Sequence, residues 1–130
     1  MTKQELIAKA KEAMTKAYAP YSHFQVGAAL LAKDGRVFTG CNVENATYGA
    51  TICAERTAVT KAVSEGVREF EKIAIVASSG DYAAPCGICR QVLFEFMPEG
   101  KVVLWSELEG EKEFALTELL PFGFRGEDIK

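Results

Sequence analysis

The chain has 130 residues, of which 48% are hydrophobic and 25% are charged. This composition is typical of a folded globular protein and excludes the disordered and collagen-like classes, and the length predicts a single domain over residues 1–130. The 15 basic and 18 acidic residues leave a formal net charge of -3, and the basic residues form no run, so we expect no nucleic-acid partner.

The apolar stretches are too short to cross a bilayer, and the first residues lack the apolar centre of a signal peptide. We therefore expect no membrane partner and a cytoplasmic location. In such a reducing compartment the four cysteines, Cys41, Cys53, Cys86 and Cys89, are expected to serve metal or redox chemistry rather than disulfides.

The first part of the chain predicts a helix followed by a hairpin. Thr2 and Glu5 form a capping-box pattern, and apolar residues recur at helical spacing as far as Tyr18. Residues 24–33 and 37–41 are typical of two strands, joined by a turn at residues 33–36. Residues 42–52 are polar and predict a loop.

The second part alternates helices and strands. Helical spacing begins at Cys53 and ends at Gly66, and a short apolar run over residues 73–77 is typical of a buried strand. A further helix is predicted over residues 87–96 and a further strand over residues 102–105. This alternation indicates an α/β layer structure with helices covering a sheet.

Two short segments hold the residues that could carry chemistry, Cys53-Ala54-Glu55 and Pro85-Cys86-Gly87-Ile88-Cys89. A Cys-x-x-Cys pair at a helix start can direct both sulfurs at one point, and the positive end of the helix dipole favours the thiolate that zinc requires. Three protein ligands leave the fourth tetrahedral position for a water, which is the arrangement of a catalytic zinc site.

The residues beside these cysteines suit the same chemistry. Glu55 is available to handle the proton of the zinc-bound water. Three thiolates carry one more negative charge than Zn²⁺ neutralises, so we expect Arg56 to offset charge on the ligand sulfurs. Arg90, which follows Cys89, is expected to favour the thiolates in the same way.

A cysteine or histidine, then Glu, then a distant Pro-Cys-x-x-Cys is the signature of zinc-dependent nucleobase deaminases, in which the glutamate is the general acid/base. The chain also resembles, along nearly its whole length, the small homotetrameric cytidine deaminases of nucleoside salvage, within the cytidine/deoxycytidylate deaminase family. Four blocks carry the resemblance: Tyr-Ala-Pro-Tyr-Ser-x-Phe-x-Val-Gly-Ala-Ala at 18–29, Gly-Cys-Asn-Val-Glu-Asn-Ala at 40–46, Cys-Ala-Glu-Arg-Thr-Ala at 53–58 and Pro-Cys-Gly-x-Cys-Arg-Gln at 85–91.

The resemblance implies a three-layer α/β/α sandwich with a mixed five-stranded sheet, assembled as a homotetramer. It implies one zinc ion per chain on Cys53, Cys86 and Cys89. The implied reaction is the hydrolytic deamination of cytidine and deoxycytidine to uridine and deoxyuridine plus ammonia, by zinc-bound hydroxide attack at C4 with Glu55 as the proton shuttle. In the resembling family a phenylalanine near the C-terminus reaches a neighbouring subunit's active site, which makes Phe124 a candidate for that role.

The resemblance also implies ribose contacts from Asn42 and Glu44. In an extended segment these two side chains point to the same side, so an amide and a carboxylate together can donate to and accept from a sugar hydroxyl. Phe24 offers a flat face on which a pyrimidine could stack, although it could instead pack in the core at the head of an alternating strand. By resemblance, the backbone around Ala54 is expected to bond the pyrimidine edge.

Several alternatives stay open. Cys41 could close a four-cysteine structural site, although a small buried hydrophobe is the preferred interpretation, and the Cys-x-x-Cys pair could be a redox centre. Among enzymes, a deaminase of an aminopyrimidine nucleoside antibiotic is disfavoured by the complete Asn-Val-Glu-Asn block at 42–45. A polynucleotide deaminase is disfavoured by the acidic net charge of the chain and by Cys53, because those enzymes generally carry His at that position. The rival from another class is a non-catalytic module in which zinc only stabilises the fold.

Overall fold

The computed structural model describes residues 1–129, which are organised around one five-stranded sheet in the order β2-β1-β3-β4-β5. The parallel pair is β3 with β4, while β1–β2, β1–β3 and β4–β5 are antiparallel, so the sheet is mixed as expected. The strands are β1 Val26–Ala32, β2 Val37–Cys41, β3 Phe70–Ala77, β4 Lys101–Ser106 and β5 Gly110–Ala115.

In the described part of the chain, four α-helices accompany the sheet: α1 Lys3–Met14, α2 Ala54–Ser64, α3 Gly87–Phe96 and the short α4 Leu116–Leu119. Single 3-10 turns lie at Tyr48–Ala50 and Gly126–Ile129. Because parallel strands need a crossover connection, α3 joins β3 to β4. Within residues 1–129, every helix is too short or too polar to span a membrane.

Alternate side chains of β1 divide the core into two layers. Ala28 and Leu30 pack in an apolar cluster with α2 and α3, whereas Ala29 and Leu31 pack in a second cluster with α1. Successive strand residues point to opposite faces of a sheet, so one short apolar strand supplies both layers. The predicted three-layer α/β/α sandwich is therefore confirmed.

Two glycines allow the helices to approach the sheet closely. A Cβ atom on Gly40 of β2 would lie 2.5 Å from the Ala54 carbonyl oxygen and 2.6 Å from the Ala58 nitrogen, and so would collide with the backbone of α2. A Cβ on Gly27 of β1 would lie 2.0 Å from the Ala10 carbonyl oxygen in α1. Gly40 thus determines how near the start of α2 lies to the sheet.

The structure corrects several expected boundaries. Helix α1 ends at Met14 rather than Tyr18, because the Tyr18 N–H donates to the Asn42 carbonyl in a bridge between Tyr18 and Val43. Strand β1 begins at Val26 rather than Phe24, because side chains take up the Phe24 backbone groups. Strand β5 and helix α4 had no recognisable sequence signal, since β5 is a polar edge strand.

Candidate active site

Two helices begin at cysteines, as the sequence predicts. Cys53 is the N-cap of α2 and Cys86 is the N-cap of α3, both in extended backbone conformation. Cys89 lies in the first turn of α3, and its backbone N–H donates to the Cys86 Sγ atom at 3.5 Å. The positive ends of both helix dipoles therefore meet at the same sulfur atoms.

The Sγ atoms of Cys53, Cys86 and Cys89 all lie within 4.8 Å of one another, and those of Cys53 and Cys86 are 3.9 Å apart. Zinc bound tetrahedrally at about 2.3 Å from each sulfur would separate two ligand sulfurs by about 3.8 Å. A disulfide would need about 2.05 Å. The three donors therefore fit a zinc ion in spacing and in chemical type.

Cys41 is not part of this cluster. It ends β2, opposite Gly27, and is half-buried. Within the described residues, the group that could hold a metal consists of Cys53, Cys86 and Cys89. The alternative of a closed four-cysteine site is therefore not supported, and among residues 1–129 no fourth ligand atom joins the three sulfurs.

Charges near the sulfurs favour a thiolate at Cys53. The hydrogen bond with the Cys89 thiol and the guanidinium of Arg56 lower the pKa of Cys53 to about 5, against the opposing effect of burial. The same hydrogen bond and burial raise the pKa of Cys89. The Arg56 Nη2 atom lies 3.5 Å from the Cys53 sulfur and also donates to the Thr51 carbonyl at 3.3 Å.

Arg90 has a different position from the one expected. Its Nε donates to the Pro85 carbonyl at 2.7 Å and its Nη1 to the Leu119 carbonyl at 2.8 Å. These hydrogen bonds of Arg90 go to backbone carbonyls and not to the ligand sulfurs. Arg90 instead ties the loop before Cys86 to the end of α4.

Glu55 lies in the first turn of α2, next to Cys53, and is only 5% exposed. It is not one of the three residues whose ligand atoms converge. Burial raises the pKa of Glu55 to about 7, where a carboxyl group exchanges protons near neutral pH. The neighbouring Ala54 is fully buried.

Asn42 and Glu44 lie on a short extended segment beside the cysteine cluster. Val43, between them, pairs with Tyr18 on one side and with Ile52, the residue before Cys53, on the other. The side chains of Asn42 and Glu44 are both buried and both contact the segment that leads into β1. They therefore lie on one side of their segment, as expected.

Glu44 borders a cavity of about 320 Å³ that is also lined by Tyr21, Ser22, Tyr48 and Thr51. The Ser22 hydroxyl and the backbone N–H groups of Ser22 and Tyr21 all donate to its carboxylate. These hydrogen bonds, that of the Ser22 side chain first, hold the pKa of Glu44 below its usual range. Glu44 is thus an ionised acceptor at the edge of a cavity.

Phe24 is 41% exposed, so the alternative that it packs in the core is wrong. Its backbone is held by two side chains, because the Phe24 N–H donates to the Ser22 hydroxyl and the Phe24 carbonyl accepts from Asn42. Sequence reasoning gave no role to Ser22. Ser22 lies in the block at 18–29 that carries the family resemblance, but no local pattern indicated a contact with Glu44.

Phe124 is 53% exposed and lies beside α3. Gln91 fixes its backbone with two hydrogen bonds, at 2.7 and 3.2 Å. Phe124 lines a different cavity, of about 410 Å³, together with Phe94 and Pro98. Within one chain it is therefore not among the residues around Glu44.

An α/β/α sandwich that carries three converging cysteine sulfurs at two helix N-termini, with a buried glutamate beside one of them, defines a zinc-dependent deaminase class. Residues 1–105 match the cytidine and deoxycytidylate deaminase zinc-binding region. The chain therefore belongs to the cytidine and deoxycytidylate deaminase family.

Similar proteins cover almost the whole chain. It is 52% identical to a cytidine deaminase of Halalkalibacterium halodurans and 49% identical to one of Sporosarcina psychrophila, over 99% of this chain and 98% and 96% of theirs. The crystal structure of a cytidine deaminase from Burkholderia pseudomallei superposes with a TM-score of 0.90 at 50% identity, covering 95% of this chain and 100% of that one.

Proposed function

We propose that this protein hydrolyses the exocyclic amine of cytidine and deoxycytidine, which yields uridine and deoxyuridine plus ammonia. The observation that carries the proposal is the convergence of three cysteine sulfurs beside the buried carboxyl group of Glu55. Full-length similarity to proteins named cytidine deaminase supports the same reaction.

Cys53, Cys86 and Cys89 would hold the zinc ion, since thiolates suit this metal and the spacing of the sulfurs matches its size. A zinc ion bound there supplies Lewis acidity and lowers the pKa of a bound water molecule to roughly 7. Arg56, 3.5 Å from the Cys53 sulfur, offsets part of the excess negative charge of three thiolates.

Glu55 carries the protons of the reaction. It takes a proton from the attacking water and delivers it to N3 of the base, while the water oxygen bonds to C4. It then moves the proton of the new C4 hydroxyl to the amine, the C4–N bond breaks, and ammonia leaves. The oxygen of the water thereby becomes the C4 oxygen of uridine. One of its hydrogens is bonded to N3 and the other leaves with ammonia, and Glu55 returns to its initial state.

Asn42 and Glu44 would bind the sugar. Each can form further hydrogen bonds. The Asn42 amide donates one hydrogen to the Phe24 carbonyl and accepts the Val26 N–H, which leaves one hydrogen and one lone pair, and Glu44 is an ionised acceptor. The exposed ring of Phe24 would stack on the pyrimidine, and the backbone around Ala54 would bond its edge.

We propose further that residues 1–130 form one domain that acts as a homotetramer in the cytoplasm, without nucleic-acid or membrane partners. Large apolar side chains that are exposed on the single chain support assembly, and many of them lie in one part of the sequence: Tyr18, Tyr21, Phe24, Val43, Tyr48 and Ile52. In such an assembly Phe124, which is exposed beside α3, would reach a neighbouring active site. Sedimentation equilibrium of the zinc-loaded protein tests the oligomeric state.

The function itself is tested by ultraviolet absorbance after cytidine or deoxycytidine is added to the purified protein. Deamination changes the spectrum of the base and releases ammonia in equal amount. A protein that binds zinc but leaves both nucleosides unchanged would instead be a non-catalytic zinc module. Cytidine, deoxycytidylate and single-stranded polynucleotide compared side by side separate a nucleoside deaminase from the other substrate classes.

A further inference from the structure

The segment between α1 and β1 makes a tight turn over residues 19–23. His23 donates its N–H to the Ala19 carbonyl at 3.0 Å and has a left-handed φ of 58°. The two backbone N–H groups of Tyr21 and Ser22 both donate to the Oε1 atom of Glu44, at 3.0 and 3.1 Å. Successive N–H groups of a turn thus form a cradle for one carboxylate oxygen.

The Ser22 hydroxyl connects this cradle to Phe24. Its proton is donated to the Oε2 atom of Glu44, and one of its lone pairs accepts the Phe24 N–H at 3.1 Å. A hydroxyl has one proton and two lone pairs, so a single group here holds both a carboxylate oxygen and a backbone amide. Movement of either partner would break one of these two bonds.

Asn42 completes the network from the other side. Its Nδ2 donates to the Phe24 carbonyl at 2.8 Å, and its Oδ1 accepts the Val26 N–H at 2.9 Å. The N–H and the carbonyl of Phe24 are thus held by Ser22 and Asn42 respectively. Glu44, Ser22, Phe24 and Asn42 are therefore linked in series, and three of them are proposed substrate contacts.

The carboxylate of Glu44 can accept only a limited number of further hydrogen bonds. A carboxylate offers about four lone-pair sites, and three donors of the turn use three of them. Because Oε1 accepts twice and Oε2 once, the free site is on Oε2, the oxygen that Ser22 holds. Both residues line the same cavity of about 320 Å³, where a hydroxyl donor could reach that site.

We propose that Ser22 is a positioning residue for substrate binding, which acts through Glu44 and the Phe24 backbone rather than by touching the reacting atoms. Its hydroxyl orients the Glu44 carboxylate so that the free lone pair of Oε2 accepts from a ribose hydroxyl, and it sets the place of the Phe24 ring beside the base. This role rests on the proposed function, because it assumes that a nucleoside is bound.

The test compares Ser22→Ala with Ser22→Thr in the zinc-loaded enzyme. A matched control is Ser79→Ala, since the Ser79 hydroxyl accepts a backbone N–H two residues on, from Asp81 at 3.2 Å, in the same way as Ser22 accepts from Phe24. The readouts are kcat and KM for cytidine, kcat/KM for free cytosine, zinc content and melting temperature. Equilibrium binding of cytidine is measured in the Glu55→Gln background.

We expect Ser22→Ala to lose roughly 10- to 100-fold in kcat/KM for cytidine, mostly through KM, as for the loss of a hydrogen bond to a charged group. Cytidine binding in the Glu55→Gln background should weaken by a similar factor. Ser22→Thr should restore both values because it keeps the hydroxyl. Zinc content should be unchanged, activity towards cytosine should fall much less than activity towards cytidine because only the placement of Phe24 affects the free base, and Ser79→Ala should behave like the unmodified protein.

An unchanged KM and unchanged cytidine binding in Ser22→Ala would overturn the proposal. So would an equal loss for cytosine and cytidine together with a lowered melting temperature, because the residue would then be merely structural. Failure of the proposed function looks different, since the unmodified protein itself would then leave cytidine unchanged.

Discussion

The sulfur atoms of Cys53 and Cys86 lie 3.9 Å apart, although the two residues are 33 positions apart in the chain. Each residue caps the N-terminus of a helix, and β3 runs between the two helices in sequence. Both helices pack against the same apolar cluster on one face of the sheet, with their N-termini close together. The metal-binding arrangement is therefore a consequence of the packing of α2 and α3.

Removal of any one of the three clustered cysteines should abolish zinc binding and activity. The purified reduced protein should hold one zinc per chain, because three thiolates with an open fourth position favour zinc over harder ions. Cys53→Ala, Cys86→Ala and Cys89→Ala should each lack the metal, and Cys41→Ser should retain it. Elemental analysis decides the matter, and loss of zinc from Cys41→Ser would restore the four-cysteine alternative.

Replacement of Glu55 should separate metal binding from turnover. Glu55→Gln should keep its zinc and bind cytidine, since Glu55 is not among the converging ligand atoms. Its kcat should fall by at least ~10² to 10⁴, the range of a general acid/base, because Glu55 serves more than one proton transfer. Steady-state kinetics with zinc analysis test this, and near-normal turnover would contradict the proposed mechanism.

The double variant Asn42→Ala with Glu44→Ala should narrow the preference for cytidine over free cytosine. The loss should fall chiefly on cytidine, because binding energy from the remote ribose also orients the base. Zinc content should stay the same, as neither residue belongs to the metal cluster. Measurement of kcat/KM for both substrates is decisive: an unaltered ratio would remove these residues from the sugar site.

Gly40→Ala should damage the metal site from a distance. The new Cβ would meet the backbone of α2 at 2.5 Å, and this backbone carries Cys53 and Glu55. Overpacking of this kind costs typically 1–3 kcal/mol of stability, and here it should also weaken zinc binding. Gly27→Ala is the matched control, because it crowds α1 on the opposite face.

Zinc affinity and the free energy of unfolding, measured for both glycine variants, separate the two effects. We expect Gly27→Ala to lower stability while the folded protein keeps its zinc affinity. An equal zinc affinity in both variants would show that the placement of α2 does not control the site.

The ion pair of Glu113 with Lys72, at 2.9 Å, should contribute to stability only above acidic pH. The hydrogen bond from Lys72 holds the pKa of Glu113 below its usual range, so its stabilising contribution is fully present at neutral pH and is lost as the pH falls through the lowered value. The effect should be at most about 1 kcal/mol, since the pair lies near the surface.

Urea unfolding of the unmodified protein and of Glu113→Gln over a range of pH measures this contribution. The difference in free energy of unfolding between the two proteins should shrink in acid. A difference that grows as the pH falls would have the wrong sign and would exclude the ion pair as its cause.

Local sequence patterns were sufficient to predict those elements whose signals lie within one helical turn or one strand. The Thr2–Glu5 capping box, the bounds of β2 and those of α3 all agree with the sequence prediction, because caps and periodicity are short-range properties. The three cysteines and Glu55 were found for a similar reason. Their spacing within each short segment reflects the geometry of a helix start.

Features that depend on residues far away in the sequence could not be predicted from local patterns. Helix α1 stops early because Tyr18 pairs with Val43, and the polar strand β5 forms because β4 offers it an edge. The position of Arg90 depends on the Leu119 carbonyl, 29 residues further on. A local pattern contains no information about such partners.

Residue types and short spacings thus predicted a catalytic zinc site and placed its three cysteines and Glu55 at the starts of helices. Packing alone brought the N-termini of α2 and α3 together, left Cys41 outside the cluster and placed the 19–23 turn around Glu44. The physical reason is that the direction and surroundings of a side chain depend on the hydrogen-bond partners that folding brings near. Ser22 and Glu44, 22 residues apart in the chain, become neighbours only when the segment before β1 folds back along Val43.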